Sequence, residues 1–97
     1  MSDLFDRRMA PLLGKRVLVG ITYVEPSGER LVQFHGVIVR AVEGEGIYLR
    51  CGDEEVWLPP DPSSFRPAPP GRYTLKTTGE VIEDPHLTAV WTVHPPK

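Results

Sequence analysis

Three histidines, one cysteine and two adjacent serines are the residues of this chain whose types could do chemistry. Glu83, Asp84 and His86 stand close together, and His94 follows about one strand length later, so carboxylate and imidazole groups could share a divalent cation. Their spacing matches no closed zinc motif, and no metal site is assigned to them. His35 is two positions from Gln33 in an extended stretch, where both side chains leave the same face and could hold a small polar ligand. The competing role for His35 is a histidine hydrogen-bonded beside a kink in its strand. Cys51 falls on the inward parity of an apolar strand with no basic neighbour to favour a thiolate, so it reads as a small buried hydrophobe. Ser63 and Ser64 lack the glycine elbow of a hydrolase nucleophile. With no catalytic constellation assembled, the chain reads as a non-enzyme without a cofactor.

Recognition is better supplied than catalysis. Tyr48 and Trp57 fall on the outward parity of consecutive strands and so become cross-strand neighbours on one surface, unless the proline-rich arm or the last strands fold over them. Glu43, Glu45, Asp53, Glu54 and Glu55 crowd two hairpin turns, either as a solvated rim or as an edge that attracts a basic protein. The candidate binding surface is therefore Tyr48, Trp57, Gln33, His35, Glu43 and Glu45.

The elements that must position these residues are legible in order. Residues 1–13 form a helical lead-in, with a cap at Ser2 or Asp3, with Leu4, Phe5, Met9 and Leu12 near one face, and with Pro11 limiting its length. It is expected to cover an open end of a barrel. Residues 14–58 read as a four-strand antiparallel meander. The first strand, from Lys15 to Val24, places Val17, Val19, Ile21 and Tyr23 on the core face. The turn from Glu25 to Glu29 predicts a short hairpin with a bulge at Gly28. The long second strand, from Leu31 to about Val42, bends at Gly36, where another backbone can come close. Ile47 to Cys51 and Glu55 to Leu58 follow as the third and fourth strands. Residues 59–71, rich in proline, favour an extended path that cannot join a ladder, with Phe65 pinning it to the body. Residues 72–97 supply closing strands at 72–77 and 88–94, ended by Pro95-Pro96.

Ninety-seven residues with 40% hydrophobic and 25% charged side chains make a single globular domain. Eleven basic against 13 acidic residues leave a net charge of −2, with no basic stripe for a phosphate backbone. A lone cysteine, no apolar run of signal-peptide length and no membrane-spanning stretch predict a soluble, cytoplasmic protein with no membrane role.

From Gly14 to Leu58, the order of helix, glycine, Val17-Leu18-Val19, hairpin, strand bent at Gly36, glycine turn and Ile47-Tyr48-Leu49 resembles the Sm-like and SH3-like small barrels. The whole chain also looks like a small bacterial protein of unassigned function. The resemblance implies an all-β fold: a five- or six-stranded antiparallel Sm/SH3-like barrel with a short N-terminal helix and a proline-rich arm. Sm-like proteins hold a base with an Asp and an Asn after strand two and an Arg-Gly near strand four. Here those places read Val42-Glu43-Gly44-Glu45-Gly46 and Trp57-Leu58-Pro59-Pro60, so that site carries over to no residue. The expected function is a non-catalytic protein-binding module, in one form an immunity-type inhibitor. The alternatives are an Sm-like RNA-binding protein, to which Arg7, Arg8, Lys15 and Arg16 would contribute, and a small-molecule or metal-binding barrel. The oligomeric state stays open.

Overall fold

The structure, a computed structural model, describes residues 3–94. The roles read for Ser2, for the Asp3 side chain and for Pro95-Pro96 lie outside the described residues. Helix α1 (Asp3–Met9) buries Phe5 and Met9 in the core, with Leu12 packed behind them, as the spacing predicts. Leu4 departs from that face and is exposed. The helix ends at Met9, two residues before Pro11, and after a turn Gly14, at φ +82°, donates its N–H to the Ile38 carbonyl.

The meander is present in full: β1 (Arg16–Glu25), β2 (Gly28–Val42), β3 (Gly46–Cys51) and β4 (Glu54–Leu58) pair antiparallel in sequence order. Strand β1 sends its odd positions inward, and Val17 and Val19 are buried. The β1–β2 turn is tighter than expected. Glu25 pairs directly with Gly28 around a two-residue loop, and no bulge interrupts that ladder. The bulge lies further along, between Ile38 and Arg40, where Val39 is extra. It changes the inward parity of β2 from Phe34 and Ile38 to Ala41 and strengthens the curl that begins at Gly36. A Cβ at Gly36 would collide with the Arg50 carbonyl oxygen and the Cys51 sulfur, so the close backbone approach expected there is real. Ile38, Ile47, Leu49 and Leu58 are fully buried in the resulting trough, each worth about 1.5–3 kcal/mol of transfer free energy.

After β4 the chain departs from the expected architecture. The sheet is six-stranded in the order β4-β3-β2-β1-β8-β5 and does not close into a barrel. Strand β8 (Leu87–Val93) lies parallel to β1, so the sheet is mixed and not wholly antiparallel. The proline-rich arm also enters a ladder: β5 (Phe65–Pro67) pairs with Leu87–Ala89 of β8, which is tolerable because a proline at a sheet edge sacrifices no interior hydrogen bond. Phe65 is buried edge-on to Trp91, with ring centroids 5.8 Å apart, and does pin the arm. The expected strand at 72–77 is shorter. Strand β6 (Arg72–Thr74) pairs with β7 (Val81–Glu83) in a separate two-stranded sheet, a hairpin that the expected closing strands at 72–77 and 88–94 did not include.

Two local devices hold this second half. At the start of the parallel pair, Arg16 N–H donates to His86 Nδ1 at 2.9 Å and His86 N–H donates to the Arg16 carbonyl at 3.1 Å. The Arg16 guanidinium also donates to the Glu83 and Asp84 carbonyls, at 2.9 and 2.6 Å. In the arm, Asp61 caps a short 3-10 turn (Pro62–Ser64) by accepting from Ser63 N–H and from both serine hydroxyls. Those bonds, Ser63 first, hold the Asp61 carboxyl below its ordinary value of 3.8.

Replacing Arg16 by Ala is expected to lower unfolding free energy by about 1–2 kcal/mol in denaturant titration, and Arg16→Lys to recover little, because an ammonium cannot fork onto two carbonyls. Asp61→Ala should cost about 1 kcal/mol at neutral pH. Because the folded carboxyl is the stronger acid, this contribution is complete above pH 3.8 and disappears as the pH falls through the folded value. Wild type and variant should then converge in acid.

Candidate functional site

The outer face of β2 carries Gln33 and His35 beside each other, as their spacing requires, but the β6–β7 hairpin reaches both. Gln33 Oε1 accepts from Lys76 N–H, and His35 Nε2 sits 2.7 Å from Glu80 Oε2. Leu75, almost fully buried in the turn between β6 and β7, lines one cleft of about 400 Å³ together with Gln33, His35, Phe34 and Cys51. The polar pair thus fastens a hairpin to the sheet. Both members of the His35–Glu80 pair remain open to water, so its electrostatic contribution is small. Cys51 is half-buried beside Gly36, and its thiol is pushed up by burial and then by the Glu54 carboxylate, which disfavours the nucleophilic form.

The histidine and carboxylate group read at the C-terminal end is dispersed. His86 Nδ1 is occupied by the Arg16 N–H, and Asp84, at φ +48°, accepts from Gly71 N–H at 2.8 Å. His94 lies beyond the far end of β8, about 26 Å along the strand from His86 at 3.3 Å per residue. Among the described residues, no three His, Cys, Asp or Glu side chains gather to hold a metal ion. The Ser63 and Ser64 hydroxyls both donate to Asp61.

Tyr48 and Trp57 are direct cross-strand partners. They differ in accessibility. The Arg40 guanidinium lies 3.9 Å over the Tyr48 ring and is itself ion-paired to Glu55, at 3.1 Å, so a charged side chain covers the tyrosine. Trp57 is 53% exposed. Its indole lies against Gly46, leaving no room for a Cβ there, and donates Nε1–H to the Glu45 carbonyl at 2.7 Å. Neither the proline-rich arm nor the closing strands bury it. The acidic turn that contains Glu45 therefore serves as the indole's backbone anchor.

Beside Trp57 the inner face of the sheet is uncovered. Helix α1 and the arm fill one end of the trough; at the other, Ile21 and Tyr23 of β1, Trp57 and Leu58 of β4 with Pro59, and Trp91 and Val93 of β8 line one groove at the unpaired seam. The groove has a volume of about 350 Å³ and a mainly apolar lining with three aromatic rings, within the size range of ligand sites. On its outer border Arg30 lies 4.6 Å over Tyr23 and pairs with Glu25. Sequence reasoning named Trp57 but missed this groove, because Ile21 and Tyr23 read simply as core-face positions and no local pattern places Trp91 beside them. The available signal was length: the inward series on β1 runs past the reach of a seven-residue helix.

Gly46→Ala is expected to displace the indole while leaving the meander folded, seen as a red-shifted, more quenchable Trp57 emission in a Trp91→Phe background. Glu80→Gln should change stability by about 0.5 kcal/mol or less, while amide exchange at Leu75 and Lys76 quickens.

When the chain is compared with known proteins, it matches no family model, no curated protein and no solved structure.

Proposed function

We propose that the protein is a non-catalytic protein-binding module whose binding surface is the seam groove, with Trp57 as its central contact and Tyr23 and Trp91 as its walls. The carrying observation is that a sheet of this size leaves two tryptophans and a tyrosine lining one apolar groove, with Trp57 more than half exposed. Exposed aromatics held by fixed backbone contacts lose little conformational freedom on binding, which is why they dominate protein interfaces. Trp57 is held in this way by Gly46 and Glu45.

The acidic turn at Glu43 and Glu45 favours a partner with basic residues over a phosphate backbone, which ranks protein recognition above the Sm-like RNA alternative. An immunity-type inhibitor is one form such a module takes. Gln33 and His35, tied to the hairpin, are supporting residues in this reading, and Tyr48 contributes through the charged side chain that covers it. The lone Cys51 fits a reducing cytoplasm. No helix among the described residues is long and apolar enough to cross a membrane.

Trp57→Ala is expected to weaken capture of a stoichiometric protein partner from native lysate by about tenfold or more without lowering the melting temperature by more than a few degrees. Val81→Ala, an exposed change on β7 away from the groove, should leave capture intact. Equal recovery with wild type and the Trp57 variant would overturn the assignment, as would nuclease-sensitive recovery of RNA in place of protein.

A further inference from the structure

The two sides of the seam are both free sheet edges. Strand β4 is terminal in the sheet, and β8 is paired on its outer edge only at Leu87–Ala89, through β5. Beyond Ala89 the ladder stops, because Asp61 and Pro62 wind residues 61–64 into the capped 3-10 turn, which stays beside β8 without pairing to it. The outer edge of Val90–Val93 therefore has no strand partner among the described residues, while its inner edge is fully paired with β1. That segment is flanked by space on both faces. Trp91 and Val93 point into the seam groove, and Val90, 68% exposed, lines a second cleft of about 270 Å³ with Ser63, Ser64 and Arg66.

Strand pairing sends successive side chains to opposite faces, so an added strand needs space on each side of the edge it joins. Val90–Val93 meets that requirement. Resting on the groove reading above, we infer that the partner is recognised by β-strand addition. A single extended segment of another protein pairs with the Val90–Val93 edge, in line with β5, and sends alternate apolar side chains between Tyr23, Trp57 and Trp91. The other side chains of the segment face Ser63 and Ser64. Charge identifies the segment further: the Glu43 and Glu45 turn at the Trp57 side selects a lysine- or arginine-bearing end. A single segment is required, and not the sheet edge of a second copy. Trp57, Leu58 and Pro59 form a wall behind the added strand, where the next strand of a sheet would have to lie.

The probe is the peptide acetyl-Lys-Thr-Val-Thr-Val-Thr-Lys-amide, titrated into the intact protein with amide exchange and tryptophan indole signals followed by NMR. The expected result is saturable binding, exchange at the outward-facing amides of Val90–Val93 slowed by about tenfold or more, and shifted Trp57 and Trp91 indole resonances. N-methylating the peptide at alternate nitrogens separates the modes without altering the protein. One parity should weaken binding by about tenfold or more, since it removes the ladder donors, and the other should be neutral. Binding that tolerates both methylated series and leaves Val90–Val93 unprotected would overturn strand addition while leaving the groove as the binding surface. Absence of any binding would also overturn it, with the groove reading judged separately by the Trp57→Ala capture. Concentration-dependent protection of Val90–Val93 in the free protein would show a second copy on that edge and overturn the proposed occupant.

Discussion

The second half of the molecule depends on the junction where Arg16 and His86 lock β8 alongside β1. Two reciprocal bonds, one through a backbone carbonyl and one through an imidazole nitrogen, set the parallel register, and the guanidinium holds the preceding turn at Glu83 and Asp84. Parallel neighbours cannot be joined by a hairpin, so everything from β2 to β7 is the crossover that this junction makes possible. Placed on β1, β8 leaves a seam.

The seam persists because the segment that spans it cannot serve as a strand there. Pro59, Pro60 and Pro62 remove backbone donors, and Asp61 offers residues 61–64 a local set of hydrogen bonds in place of a ladder. The chain rejoins the sheet only at Phe65, where one buried ring against Trp91 anchors the arm. The same substitution of side-chain contacts for ladder bonds recurs on the opposite face, where Gln33, His35 and Leu75 fasten the β6–β7 hairpin. The residues whose types first suggested chemistry have thus mostly become fasteners, and recognition falls to aromatic rings beside a gap.

The first 58 residues were readable because their elements are local. Alternation on β1, glycines at turns and apolar pairs flanking them are specified within a few positions, and the pairing of Tyr48 with Trp57 follows from hairpin register alone. Even there, the displacement of the bulge from Gly28 to Val39 shows that a glycine marks where the backbone is free, not where the ladder uses that freedom. Beyond residue 58, proline density argues for an extended path outside any ladder, and it misses that a sheet edge still accepts Phe65–Pro67.

By itself the sequence determined an all-β meander with a helical lead-in, the bend at Gly36, the inward series on β1 and β3, and Phe65 as an anchor, because each follows from steric and periodic rules acting over a few residues. Only the tertiary structure decided that β8 lies parallel to β1, that the sheet stays open, that a separate hairpin covers Gln33 and His35, and that Tyr23, Trp57 and Trp91 meet around one groove. Those outcomes arise from contacts between residues 34 to 70 positions apart. Such contacts are chosen by competition among edges for partners, which no local pattern encodes.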